Sequence, residues 1–83
     1  MENLLPLYDV IVVASGRPQP RKSFNSVDAA AQAVAASHRA GHIVKVRTNA
    51  ITGDVDQQRQ QGLAERVNKI LAYRDFKGQP WQP

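Results

Sequence analysis

Eighty-three residues without a cysteine leave room for one domain and one modest core, with no disulfide framework or thiolate metal site to reinforce it. Hydrophobic residues at 42% and charged residues at 22% suit a folded chain rather than a disordered one, with a net stability on the order of 4–12 kcal/mol. Eleven Lys and Arg against seven Asp and Glu give a net charge of +4, a field that attracts nucleic acid and an acidic protein surface alike.

The first apolar run, Leu7 to Ala14 (LYDVIVVA), is rich in β-branched residues and reads as a strand. It is interrupted by Asp9 and is far shorter than the roughly 20 residues a bilayer requires. No basic stretch precedes it and no signal-type cleavage site follows, so a cytoplasmic protein without a membrane partner is expected. Ser15 to Pro20 (SGRPQP) is turn chemistry, and a short second strand is expected over Arg21 to Phe24. Ser26 is placed to cap a helix, with Asp28 in the first turn where the dipole favours an anion. The alanine-rich run continues to Ala40, and Gly41 is the expected stop; His38 and Arg39 suit the negative end of that helix.

His42 to Asn49 (HIVKVRTN) alternates as a third strand. A turn is expected at Ile51 to Asp54, and Asp54 with Gln57 three residues later makes a capping pair for a second helix. There Leu63, Val67, Ile70 and Leu71 share one face, and Glu65 and Lys69 make an i,i+4 pair outside. Gly62 weakens its first half, so Val55 to Gln61 is expected to fray, and the QQRQQ run reads as polar helix surface. Periodicity stops after Arg74. Residues 1–78 therefore read as a single domain and 79–83 as a C-terminal tail.

The order is ββαβα, which defines an α+β two-layer sandwich: a three-stranded antiparallel sheet in order 2-1-3 with two helices on one face. Register can be read from side chains, because opposed residues in an antiparallel pair share a face. Placing Asp9 opposite Arg47 pairs Ile11 with Lys45 and Val13 with Ile43. The alternate set becomes Val12 with Val44, Val10 with Val46 and Tyr8 with Thr48. This second set is nearly all apolar and belongs under the helices, joined by Phe24, Val27, Ala30, Ala33, Val34, Leu63, Val67, Ile70 and Leu71. A slip by one residue would bury Lys45 or Arg47 unpaired.

The remaining face mixes Ile11, Val13 and Ile43 with Asp9, Lys45 and Arg47, and Arg21 and Ser23 can join it. An apolar patch rimmed by charge marks an interaction site. Three explanations stand, in order of preference: a partner-binding face, burial in a homodimer, or cover by the second helix. Arg17, Arg21 and Lys22 place further cations at the rim of the hairpin. Trp81, between two prolines, either tucks against the core or anchors in another protein's pocket.

Reactive groups do not converge in the sequence. His38 and His42 are the only imidazoles, and Gly41 between them breaks the helix that their i,i+4 spacing would need to share a metal. Ser15-Gly16-Arg17 lacks the glycine spacing of a phosphate-binding loop, and no helix follows it. No cofactor, metal site or catalytic residue is expected. The segment Lys22 to Val46 (KSFNSVDAAAQAVAASHRAGHIVKV) resembles half of the SPOR-type peptidoglycan-binding fold, in which strand, Ala-rich helix and strand recur; the second half-repeat and a membrane anchor are missing. In size and element order the chain is also similar to small phage-encoded inhibitors, anti-CRISPR proteins among them, with no motif to carry residues across. Neither resemblance assigns a family. The function these features favour is a non-catalytic inhibitor or adaptor that binds a larger, acidic-surfaced protein through Ile11, Val13, Arg17, Arg21, Lys22, Ile43, Lys45, Arg47 and Trp81. The alternative is a nucleic-acid-binding protein using the same basic face and hairpin.

Overall fold

A computed structural model describes residues 7–49 and 52–83. The chain runs β1 (Tyr8–Ala14), β2 (Arg17–Pro18), β3 (Lys22–Phe24), α1 (Val27–Arg39), β4 (Ile43–Thr48) and α2 (Gly53–Tyr73). β1 is central: β2 and β3 pair with it along one side and β4 along the other, all antiparallel. The register between β1 and β4 is the one the side chains dictate, with Asp9 opposite Arg47, Val10 opposite Val46 and Val13 opposite Ile43.

The hairpin after β1 turns on two residues, Ser15 at φ +54° and Gly16 at φ +76°. Two successive positive φ angles give the twist that matches antiparallel strands. Its returning arm is where the sequence reading is corrected. Pro18 faces Val13 and Lys22 faces Val10, so Gln19, Pro20 and Arg21 stand against only Val12 and Ile11. That extra residue is a bulge: the expected strand over Arg21 to Phe24 is β3, and pairing begins earlier, at β2, inside the stretch Ser15 to Pro20 expected to be turn. Pro20 cannot donate to the ladder, and the Gln19 amide, 2.8 Å from the Val12 carbonyl, makes the last bond before it.

α1 begins on Ser26, whose hydroxyl accepts from the Ala29 amide at 3.3 Å. It ends as the sequence predicts. Gly41 sits at φ +89°, its amide bonds the His38 carbonyl at 3.0 Å and the His42 amide bonds the Ser37 carbonyl at 3.1 Å. This pair of bonds needs a left-handed residue between helix and strand, where glycine carries no Cβ penalty. α2 is capped by Thr52, which accepts from the Val55 amide at 3.3 Å, rather than by Asp54, which lies inside the first turn. The turn expected from Ile51 starts outside the described residues.

The first half of α2 is continuous through Gly62 despite its polar sequence. Tertiary bonds hold it: Thr48 donates to Asp56, Arg59 to the Asn49 carbonyl, and Gln60 Nε2 to the Val46 carbonyl at 2.7 Å. Those contacts outweigh the weak local propensity. Arg66 reaches Asp28 at 2.8 Å while Arg39 and Arg74 line one groove, so the two helices run parallel.

The core lies between this helical layer and the even-numbered face of β1 and β4. Tyr8, Val10 and Val44 meet Ala30, Ala31, Val34 and Ala35 of α1 and Leu63, Val67 and Leu71 of α2. Leu63, Val10, Val34 and Val67 are completely buried, and each such side chain contributes roughly 1.5–3 kcal/mol.

The C-terminal segment is part of this core. Beyond α2 and its cap residue Arg74, Asp75 sits at φ +54°, with the Phe76 amide bonded to the Leu71 carbonyl at 3.0 Å. The Phe76 ring stands edge-on to His38 with centroids 5.5 Å apart. His38 Nε2 donates to the Gln79 carbonyl at 2.6 Å. Asn68 clasps the next turn of chain: its Oδ1 accepts from the Trp81 amide at 2.8 Å and its Nδ2 donates to the Trp81 carbonyl at 3.0 Å. Trp81 is 3% exposed and its indole donates to the Val44 carbonyl at 3.3 Å.

Candidate functional site

On the side of the sheet away from the helices, β1 contributes Asp9, Ile11 and Val13, and β4 contributes Ile43, Lys45 and Arg47. The three β1 side chains are half-buried, whereas Ile43 is 60% exposed and both cations are exposed. Pro18 faces Val13 from β2, and Ser23 faces Asp9 from β3.

Charge on this face is arranged unequally. Asp9 accepts from the Ser23 hydroxyl at 2.6 Å and lies 3.9 Å from the Arg21 guanidinium. Its counter-charge therefore comes from the hairpin arm. Lys45 and Arg47 have no ion-pair partner among the described residues. The result is an apolar patch of Ile11, Val13 and Ile43 toward the hairpin end of the face, beside two cations that nothing in the described fold neutralises.

α2 does not cover this face. It packs beside α1 and over β4 from the opposite side, sending Gln60 to Val46 and burying Leu63 and Val67 in the shared core. Cover by the second helix, the third explanation offered by the sequence, is thus excluded.

The sheet edges are closed to strand addition by different devices. Leu7 bonds Asn49 across the β1–β4 ladder, and alternation then turns the carbonyls of Val44 and Val46 outward. Trp81 occupies the first and Gln60 the second. On the other edge, Pro18 points a donor-less nitrogen outward, and the bulge at Pro20 and Arg21 breaks the ladder. Strand addition at either edge is therefore disfavoured.

The other site candidates separate. Arg21 lies on the open face beside Asp9. Arg17 faces Ala14 and Lys22 faces Val10, on the helix side of the sheet. Lys22 there lines a groove with Val12, Pro20 and Ala36. Strand alternation alone puts Arg21 and Lys22 on opposite faces; the bulge decides which, because the Val13–Pro18 register continued without it would set Lys22 opposite Asp9 on the open face. Trp81, proposed as an anchor for a partner, is corrected to a core residue, because its ring and its N–H are both used inside the fold. Pro18 was not foreseen on the face; a two-residue turn at Ser15-Gly16, read strictly, would have placed it opposite Val13.

α1 stops before His42, so the two imidazoles do not share a helix face, and no group of three His, Asp or Glu suited to a metal occurs among the described residues. No helix among the described residues is long and apolar enough to cross a membrane. No family model, curated protein or solved structure matches the chain.

Proposed function

We propose that the protein is a non-catalytic binding module that occludes an acidic surface of a larger protein, acting as a stoichiometric inhibitor or adaptor. The observation that carries this reading is Ile43, 60% exposed at the start of the edge strand β4 on the open face, followed along that strand by Lys45 and Arg47, which have no ion-pair partner among the described residues. An apolar centre with a charged rim is the anatomy of a protein interface. Unpaired cations there favour an acidic partner in both encounter rate and specificity.

Two arguments weigh against self-association through the same face. Three strands about 4.8 Å apart and some six residues long offer roughly 300 Å², so a face-to-face dimer would bury about 600 Å², short of the ~1,000 Å² of a stable interface. Such a dimer would also bring the exposed Lys45 and Arg47 of two copies together. A concave partner can reach further, around the rim to the hairpin at Ser15 and Gly16. Nucleic acid is disfavoured on this face because it carries no aromatic side chain on which a base could stack.

The test is affinity capture on the immobilised protein after nuclease treatment, comparing the native chain with Ile43→Asp and with Lys45→Glu plus Arg47→Glu. Both variants should lose the same captured protein while circular dichroism shows an unchanged fold. Retention by both would remove the open face from consideration. Loss of every partner on nuclease treatment alone would replace a protein with nucleic acid.

A further inference from the structure

The described residues expose two large hydrophobic side chains, Ile43 on the open sheet face and Tyr73, 88% exposed, near the end of α2. Tyr73 lies in a groove between the helices, on the layer opposite the sheet face. Arg66, Lys69, Ile70, Tyr73 and Arg74 follow one another at i, i+3, i+4, i+7 and i+8, one stripe of α2. Arg39 of α1 lines an adjoining groove that shares Gln32, Ile70 and Arg74 with this one.

Part of this charge has a task within the fold. Arg66 holds Asp28 at 2.8 Å, and Arg39 and Arg74 stand where two parallel helices end, each carrying about half a negative charge. These dipoles offset about one of the two arginine charges. The Glu65–Lys69 pair expected from the sequence does not form, and Lys69 has no ion-pair partner among the described residues. The groove therefore keeps a positive surplus beside an aromatic ring that contributes nothing to the core.

We propose that this groove binds single-stranded nucleic acid, with Tyr73 as a stacking platform and Arg39, Lys69 and Arg74 on the phosphates. Cations tracking a backbone beside an exposed aromatic ring are the two elements of sequence-tolerant single-strand binding. The stripe is about 12 Å long at 1.5 Å per residue, with Lys69 and Arg74 about 7.5 Å apart along the axis, which suits a few successive nucleotides. A duplex offers no unstacked base to Tyr73. The groove is separate from the sheet face, so an adaptor of this build can hold a protein on one layer and a nucleic-acid strand on the other.

The experiment is fluorescence anisotropy of a labelled oligothymidylate of about 12 nucleotides, within the site sizes such surfaces take, titrated with the full chain over a range of salt. Three phosphate contacts predict a slope of log affinity against log salt near −2, at about −0.7 per contact. Tyr73→Ala should weaken binding about tenfold or more, and Tyr73→Phe should restore it. Lys69→Glu with Arg74→Glu should abolish binding, whereas Lys45→Glu with Arg47→Glu should leave it within about twofold. The exposure of Tyr73 makes its truncation harmless to packing, which thermal unfolding checks. Absence of saturable binding at low salt, indifference to Tyr73→Ala, or loss through the sheet-face variant would each overturn the proposal. So would Tyr73-dependent binding of polyglutamate in place of the oligonucleotide, which would give the groove to an acidic protein segment. Protein capture through the sheet face is scored separately, so either reading can fail alone.

Discussion

Alanine in place of Gly41 and alanine in place of Gly62 are the same chemical change, and the fold predicts opposite signs for them. A Cβ at either position meets no atom within 4 Å, so neither packing nor collision contributes. What differs is the backbone. Gly41 sits at φ +89°, where an L-residue is strained by about 1–2 kcal/mol. Removing glycine's extra freedom in the unfolded chain returns about 0.4–1 kcal/mol, so Gly41→Ala should cost a net of about 1 kcal/mol. Gly62 lies inside α2, where glycine is worse than alanine by about 0.5–1 kcal/mol, and Gly62→Ala should stabilise by that amount. For a domain of this size each kcal/mol moves Tm by about 4–8 °C. Gly41→Ala should therefore melt about 4–8 °C lower and Gly62→Ala about 2–8 °C higher, read by far-ultraviolet circular dichroism. A rise in Tm for Gly41→Ala would refute the left-handed stop and imply a helix continuing into His42. A fall for Gly62→Ala would refute a continuous α2.

Asp75 performs at the end of α2 the left-handed role that Gly41 performs at the end of α1, but with a side chain; Asp75→Gly should raise stability by up to about 1 kcal/mol in denaturant titration. Trp81→Ala should cost about 3–5 kcal/mol, a large share of the total for so small a domain, because it empties the core and strips the Val44 carbonyl of its partner. Trp81 is the only tryptophan, so emission of the native chain should be blue-shifted and protected from acrylamide. Red-shifted, freely quenched emission would show that the C-terminal segment is not docked.

The facing of the strands was legible because a one-residue slip buries Lys45 or Arg47, and the choice among even shifts followed from setting Asp9 opposite Arg47. The stop at Gly41 was legible because it is local chemistry. The bulge at Pro20 and Arg21 was not, since Pro-Gln-Pro reads equally as the tail of a turn; it sets which of Arg21 and Lys22 reaches the open face. The cap of α2 fell on Thr52 rather than Asp54 because Thr and Asp serve equally and only the chain path chooses. The docking of Trp81 escaped the sequence for a different reason. The segment that delivers it has no period, and its partners Asn68, His38 and Val44 are distant in sequence. The open face could be listed residue by residue, but its exposure depends on which side of the sheet α2 takes, and one apolar stripe does not settle that.

The central claim is that the exposed Ile43 and its neighbours are the working surface for a protein. The most direct measurement is the affinity of the purified captured partner, by titration calorimetry, for the native chain and for Ile43→Asp. Ile43 is 60% exposed and outside the core, so the substitution leaves the fold intact while placing a carboxylate in the apolar patch opposite an acidic partner. The account predicts a loss of about 100-fold or more, the ~3 kcal/mol typical of an unpaired buried charge, and only weak dependence on salt in the native complex. An affinity unchanged within about twofold, with the fold intact, would contradict it.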